Sequence, residues 1–168
     1  ISEVILPTSL KEIKDCAFVR CKELQEIHIP QSVKEIGAAC FAGCTSLESI
    51  QLPDALSVIN VQLFDGCDSL FHVRIPSNVK EIQGRSFHNT NIKRIILPQN
   101  LEKICGNAFS YSPITEIISH SENFIVKDKA VYGNNGKTLV LYYGKDIKFI
   151  VPNGVEELAD FVFSYAYD

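Results

Sequence analysis

Aliphatic and polar residues alternate in five short stretches of the chain, each of which ends at a proline. In the second stretch, Ile27 and Ile29 alternate with Glu26 and His28 before Pro30. A period of two is typical of a short, half-buried strand, and the strand must end at the proline because proline has no N–H to donate. The pattern therefore predicts a series of short strands, each followed by a turn at a proline.

The strand pattern repeats, and prolines mark the repeat. The first four prolines are 23 residues apart, the fifth follows after 22, and a sixth comes after a longer interval: Pro7, Pro30, Pro53, Pro76, Pro98 and Pro152. A phenylalanine stands eleven residues after each of them: Phe18, Phe41, Phe64, Phe87, Phe109 and Phe163. Aliphatic residues occupy the positions three and six residues after every one of these prolines. Self-similarity at such a period is the signature of a repeat architecture.

One unit of this kind is too small to bury its apolar side, so successive units must stack. Stacking places the strands in a parallel sheet at about 4.8 Å per coil, and the chain is predicted to form a solenoid. Each coil has a strand, a turn at the proline and a return segment that carries its phenylalanine inward. The six phenylalanines are therefore predicted to form a structural column in the core, where loss of one ring should cost about 3–5 kcal/mol.

The unit LQEIHIPQSVKEIGAACFAGCTSL resembles the BspA-type leucine-rich repeat, which is marked by the strand proline, the isoleucine of the return and a phenylalanine followed by glycine-cysteine. The resemblance covers residues 1–118 and 146–168. It implies an α/β-type leucine-rich repeat solenoid, with short parallel β-strands on one face and irregular or short helical return segments on the other. Coils four and five depart from the pattern, because each is one residue short and has Thr90 or Ser112 in place of the cysteine.

The whole chain is predicted to be one solenoid over residues 1–168. Its coils start near residues 1, 24, 47, 70, 92 and 114, and the last coil resumes at 146 after an interruption. Terminal coils of a solenoid need polar caps, and neither end has one. We therefore expect the chain to be a fragment of a longer protein.

The interruption over residues 119–145 has its own pattern. Runs rich in β-forming residues are separated there by turn residues, including Asn134-Asn135-Gly136. Asn-Gly between apolar runs is a strong hairpin signal. The segment is therefore predicted to be a small β-hairpin or meander inserted into the solenoid, after which residues 149–152 resume the strand ladder.

The six cysteines are candidates for disulfides, a zinc site or a nucleophile. Cys21, Cys44 and Cys67 share one column, fourteen residues after the proline, where a small buried group would face the next coil. Stacked coils give parallel Cα–Cβ vectors there, which is poor disulfide geometry, and the spacings lack the paired Cys-x-x-Cys of zinc modules. We interpret these three as buried structural cysteines and expect neither a metal nor a cofactor.

The histidines form no catalytic pattern. His28 and His72 fall on the strand face two coils apart, about 10 Å by strand spacing, and His88 and His120 are expected on turns. Catalysis requires a base beside a nucleophile, or paired carboxylates in a pocket closed to water. No such arrangement can be assembled from the repeat, so the protein is predicted not to be an enzyme.

The outward positions of the strands are the extended surface on which a solenoid can bind a partner. They are acidic in the first three coils, whereas in coils four and five they combine basic, aromatic and aliphatic side chains: Phe71, His72, Arg74, Lys93, Arg94 and Ile96. Arginine beside aromatic and aliphatic groups is the composition of a protein-binding patch. These six residues are the candidate partner-binding site, and the alternative is that they are ordinary solvated side chains.

The composition narrows the choice of partner. With 46% hydrophobic and 21% charged residues in 168, the chain is typical of a folded protein. Its net charge of −4 has the wrong sign to drive binding to nucleic acid or anionic lipid, and no apolar run is long enough for direct membrane insertion. A protein partner remains.

These observations predict a non-enzymatic protein-interaction or adhesion module that presents a rigid strand face to a protein partner. The alternative is a passive structural stalk that displays another domain of a larger surface protein. The resemblance implies an extracellular or cell-surface protein of host-associated anaerobic bacteria or of some parasitic protists. It also implies a host or matrix protein as the partner.

Overall fold

Short strands and turns make up almost all of the structure. The computed structural model describes residues 1–165, which hold thirteen strands and one 3₁₀ turn, Asn134–Gly136. The strands are, in chain order, β1 (Glu12–Ile13), β2 (Glu35–Ile36), β3 (Ser49–Gln51), β4 (Val58–Ile59), β5 (His72–Arg74), β6 (Glu81–Ile82), β7 (Arg94–Leu97), β8 (Lys103–Ile104), β9 (Glu116–Ser119), β10 (Ile125–Lys127), β11 (Ala130–Gly133), β12 (Thr138–Tyr142) and β13 (Glu157–Leu158).

The strands that precede the prolines stack in parallel. β3 pairs with β5 and β7 pairs with β9, and an isolated bridge between His28 and Gln51 continues this strand ladder toward the first coils. The inward residues of these strands, such as Ile50 and Ile95, are buried, whereas their outward neighbours are exposed. The predicted parallel-strand solenoid is confirmed, and it has about seven turns.

A second parallel ladder runs through the return segments. β1 pairs with β2, and β4, β6 and β8 pair in that order. Aliphatic residues six positions after successive prolines are thereby paired, Ile13 with Ile36 and Ile82 with both Ile59 and Ile104. Other backbone bonds of the return also run between coils, as from Phe41 N–H to Leu63 O at 3.0 Å. A helix would use these N–H groups within its own segment. The short helical returns of the predicted fold class are therefore wrong.

A stack of phenylalanine rings lies at the centre of the core. Neighbouring rings are nearly parallel, with centroids 5.3–5.7 Å apart, in the series Phe18, Phe41, Phe64, Phe87 and Phe109. The last four side chains are fully buried, whereas Phe18, in the first coil of the stack, is only partly buried. The stack joins five successive coils.

The sixth predicted member of the column, Phe163, departs from the prediction. Its side chain is 36% exposed, and its ring meets Tyr142 and Phe149 edge-on at 6.1 and 6.3 Å instead of stacking on Phe109. The preceding residue, Val162, is buried in its place. The cause is the inserted segment, because a strand of that segment is the partner of coil six in the sheet.

Every coil of the stack contains a left-handed backbone turn two residues after its phenylalanine. The turn falls on Gly43 and Gly66, with φ of 73° and 72°, and on Arg20, Asn89 and Tyr111, with φ of 58°, 52° and 59°. A side chain in this region costs about 1–2 kcal/mol, which explains the glycine of the repeat pattern. The turn allows the N–H groups of Arg20, Gly43, Gly66 and Asn89 to reach a carbonyl of the next coil, as from Gly43 to Asp65 O at 2.8 Å.

The inserted segment is an antiparallel meander that takes the place of one coil. β10, β11 and β12 pair in order, and β12 then pairs in parallel with β13 of coil six. Within the described chain, residues 149–152 form no strand, contrary to the prediction that they resume the strand ladder. The ring of Phe149 packs instead on that of Tyr142, with centroids 4.2 Å apart.

Candidate functional site

The strand ladder is interrupted between coils four and five. No backbone hydrogen bond in residues 1–165 joins β5 to β7. Between coils two and three, three and four, and five and six, the residue just before the strand donates its N–H to its counterpart in the previous coil, as from Phe71 to Glu48 O at 3.1 Å and from Thr115 to Lys93 O at 2.8 Å. The corresponding bond from Lys93 to Phe71 is missing. The facing edges of β5 and β7 therefore carry peptide groups without a ladder partner.

A change in coil length explains the interruption. In coils one to three, the leucine near the end of the coil donates to the column cysteine three residues earlier, as from Leu70 N–H to Cys67 O at 2.9 Å. Coil four lacks one residue here, and the Asn91 N–H reaches back to Leu70 O at 2.9 Å. The chain thus enters β7 along a different path from β5. β7 and β9 both follow 22-residue coils, and they stay in register with each other.

The interruption coincides with a groove of about 780 Å³ on the strand face. All six predicted partner-binding residues line it: Phe71, His72, Arg74, Lys93, Arg94 and Ile96. Phe71 is 56% exposed and Ile96 is 42% exposed, and between them Val73 is half-buried although its counterparts in neighbouring coils are buried. The groove is of the size of ordinary ligand clefts, which measure roughly 300–1,000 Å³.

The lining also contains residues that the sequence did not select, and one of them is a histidine. His120, expected on a turn, lines the groove together with the six predicted residues. It stands 22 residues after Pro98, where the next strand proline would fall in a chain of 22-residue coils. The 22-residue spacing could therefore have placed His120 at the end of a strand.

The groove lining is positively charged, and carboxylates outside the lining neutralise part of that charge. Arg74 pairs with Asp54 at 3.1 Å and Arg94 pairs with Glu116 at 2.8 Å, and all four side chains are exposed. No residue of the lining is acidic in the described chain, and Lys93 has no ion-pair partner there. Exposed ion pairs contribute about 0–1 kcal/mol. A carboxylate that enters the groove can therefore compete for either arginine at little cost.

The column cysteines are structural donors. All six cysteines of the chain are free thiols, and Cys44 and Cys67 are fully buried whereas Cys21 is partly buried. The thiols of Cys44 and Cys67 donate to backbone carbonyls of the previous coil at 3.1 Å. Burial raises the pKa of the Cys44 thiol to about 11 and raises that of Cys67 still further, so little thiolate exists at neutral pH. Neither thiol is placed to act as a nucleophile.

The shortened coils keep the same contact with a hydroxyl. Ser112 stands in the cysteine column of coil five, and its hydroxyl donates to Phe87 O at 2.7 Å. Thr90 is joined to it, with 2.9 Å between the two hydroxyl oxygens. The column therefore needs a small donor, and cysteine, serine and threonine each supply one.

One histidine lies in an ion-paired cluster away from the groove. The Nδ1 atom of His88 is 2.8 Å from Asp65 Oδ1, and Arg85 Nη2 is 3.1 Å from the other carboxylate oxygen. The ring of Tyr111 meets the His88 ring edge-on, with centroids 5.1 Å apart. His88 is thus more enclosed than the exposed turn residue that was predicted. In residues 1–165 no serine or cysteine is hydrogen-bonded to it, so the cluster is an ion pair between coils.

The described residues were also searched for a metal site and for a membrane-spanning helix. Among residues 1–165, no group of three or more histidine, cysteine, aspartate or glutamate side chains could hold a metal ion. Within the same part of the chain, no helix has the length and apolar character needed to cross a bilayer. The groove between β5 and β7 is the candidate site that these observations leave.

Comparison with protein families gives a direct match. Six copies of the family model for the BspA type leucine-rich repeat region match residues 1–134. No curated protein is detectably similar to the chain.

Several solved structures share the fold. A leucine-rich cell surface protein from Faecalibacterium prausnitzii A2-165 is 34% identical with a TM-score of 0.78, over 87% of this chain and 40% of that protein. A leucine-rich repeat protein from Bacteroides ovatus ATCC 8483 is 31% identical with a TM-score of 0.63, over 65% of this chain and 29% of that protein. The pneumococcal vaccine antigen PcpA, at 22% identity and a TM-score of 0.73, shares the fold over 94% of this chain and 41% of its own. The chain thus spans less than half the length of each.

Proposed function

Because the chain belongs to the BspA-type leucine-rich repeat family, we propose that it is a non-enzymatic module that binds a protein partner in the groove between β5 and β7. One observation carries the proposal: the six outward residues that combine basic, aromatic and aliphatic character line a groove at the break in the ladder. Aromatic and arginine side chains contribute most of the binding free energy in protein interfaces. The site therefore has both the concave shape and the residue composition that are expected of a protein-binding site.

The mechanism of binding is the presentation of a preformed surface. The coils are joined by backbone hydrogen bonds and by the stacked phenylalanine rings, so the groove is held by the rigid part of the molecule. Phe71 and Ile96 are the apolar anchors, and Arg74 and Arg94 orient the partner through its carboxylates. A rigid surface loses little conformational entropy on binding, so more of the contact energy contributes to affinity.

The proposed location is the cell surface or the extracellular space, and the proposed partner is a host or matrix protein. The support is the relative from Faecalibacterium prausnitzii, which is named a cell surface protein and is 34% identical to this chain. A role in adhesion follows from this location together with an exposed binding groove.

The proposal is tested by reversing charge in the groove. The double variant Arg74→Glu and Arg94→Glu is compared with the wild type for binding to immobilised fibronectin, laminin and collagen by surface plasmon resonance. We expect the dissociation constant of the bound matrix protein to rise at least about tenfold, which is the effect of losing about 1.4 kcal/mol. Circular dichroism of the variant should show an unchanged fold, because both arginines are exposed.

A matched control is available on the return ladder. Lys80 and Lys103 are also exposed and ion-paired, with Glu102 at 2.9 Å and Glu81 at 3.1 Å. The double variant Lys80→Glu and Lys103→Glu changes the net charge equally and should bind like the wild type. Full binding by the groove variant would refute the proposal. A wild-type protein that binds none of these matrix proteins would favour the passive stalk.

A further inference from the structure

We propose that the groove receives an extended, acidic segment of the partner protein, which adds as a β-strand to the free edges of β5 and β7. This inference rests on the proposed function and specifies the chemistry of the occupant. Two observations carry it, the unpaired strand edges and the charge of the lining.

The strand edges supply the backbone interaction. β5 is paired on one side only, with β3, and β7 is paired on one side only, with β9. Unpaired strand edges are templates for an added strand, whose main-chain hydrogen bonds give affinity. Through the rest of the strand ladder from His28 to Ser119, each strand is joined to the next by a bridge or a sheet. The break is therefore a gap within this ladder at which an added strand can pair.

The lining specifies the side chains of the added strand. Side chains of a strand alternate between its two faces. On the inner face, half-buried Val73 and buried Ile75 would contact aliphatic residues of the segment. On the outer face, Arg74 and Arg94 flank the groove from its two sides, and Lys93 adds a third cation. The matching segment alternates aliphatic and acidic residues.

The positive charge of the groove lining disfavours a basic peptide segment. The lining contains three cations and no carboxylate among the described residues, although the chain as a whole carries a net charge of −4. Two of these cations, Arg74 and Arg94, pair with the exposed carboxylates of Asp54 and Glu116 outside the lining. A basic segment would meet like charges, which costs affinity and gives specificity. The groove thus discriminates between acidic and basic partners of the same shape.

The first test uses short peptides as probes. Peptides of the form Thr-x-Glu-x-Thr, with x taken from Val, Ile, Leu and Phe, carry an amino-terminal fluorescein and a carboxyl-terminal amide. The full chain is titrated into each peptide, and binding is followed by fluorescence polarisation. Matched peptides carry Lys in place of Glu. We expect the best Glu peptide to bind at least about tenfold more tightly than its Lys partner, and to lose this preference in the Arg74→Glu and Arg94→Glu variant.

The second test removes backbone donors from the best peptide while its side chains stay. N-methylation at alternate residues blocks the N–H groups that point to one edge, and methylation of the other residues blocks the opposite edge. We expect a loss of about tenfold in at least one of the two methylated series, since paired N–H groups are removed there.

The outcomes separate this inference from the proposed function. Loss of affinity in one series assigns the pairing to one edge, and loss in both places the peptide between β5 and β7. Affinity that stays at the level of the unmethylated peptide in both methylated series would overturn strand addition. Absence of binding by every Glu peptide would also overturn it, while binding of the wild type to a matrix protein, lost in the groove variant, would still support the proposed function.

Discussion

The same residue type has two fates in this repeat, and its distance from the proline decides which. Phe64 lies eleven residues after Pro53, on the return, and is fully buried between two other rings. Phe71 lies five residues before Pro76, at the start of a strand, and is 56% exposed. The first position therefore contributes to stability and the second is free to contribute to binding.

This difference predicts that substitution by alanine affects stability at one position and partner binding at the other. Phe64→Ala should lower the free energy of unfolding by about 3–5 kcal/mol, because it removes a fully buried ring from the stack. Phe71→Ala should change it by less than about 0.5 kcal/mol, as is usual for surface sites, but should weaken partner binding. Urea denaturation followed by circular dichroism measures both. Similar losses of stability in the two variants would contradict these assignments.

At the scale of residues, the sequence selects six of the residues that line the groove, but not the ion pairs that the arginines among them form. The outward register of the strands is sufficient to select Arg74 and Arg94, because side chains alternate strictly along a strand. Their bonds to Asp54 and Glu116 depend on side-chain conformation at exposed sites, which no periodicity encodes. The predicted basic patch is consequently less positive than the sequence alone suggests.

At the scale of elements, the length of one coil determines where the groove lies. Coils one to three are 23 residues long, and coils four and five are 22 residues long. Strands that follow coils of equal length pair with each other, as β3 with β5 and β7 with β9, whereas β5 and β7 do not. The groove is a consequence of this mismatch.

The mismatch can be removed by a single insertion. A serine inserted between Thr90 and Asn91 restores the 23-residue length of coil four, so β7 should pair with β5 and the groove should close. We expect partner and peptide binding to fall at least about tenfold while the melting temperature is kept or raised, since new ladder hydrogen bonds form. A serine inserted between Asn134 and Asn135, in the exposed 3₁₀ turn, is the control and should leave binding unchanged. Undiminished binding after the first insertion would show that coil length does not create the site.

The elements differ in how far the sequence reveals them. The strands before Pro53, Pro76 and Pro98 could be predicted because several alternating residues and a proline mark each one. The same pattern before Pro7 forms no strand, and the pattern before Pro30 forms only the bridge at His28. The return strands, such as Glu35–Ile36, are two residues long and have no period of their own. Their structure follows from hydrogen bonds to the next coil, which are contacts distant in sequence, and the short helical alternative could not be excluded from the local pattern.

At the scale of the whole molecule, the regular stack carries two irregularities with separate consequences. The inserted meander replaces one coil, so Phe163 packs beside Tyr142 instead of extending the ring stack. The shortened coil four opens the strand face while the return ladder stays continuous through β4, β6 and β8. The first irregularity alters the core and the second creates the candidate site.

The central claim is that the partner binds at the break in the strand ladder. Hydrogen–deuterium exchange of the full chain, with and without the bound matrix protein or the best Glu peptide, locates the binding surface directly. Amides of bound strand edges exchange more slowly than those of free edges. We predict that protection on binding is concentrated in residues 71–77 and 91–99, with little change in β4, β6 and β8. Protection confined to the return ladder or to the meander would contradict the account.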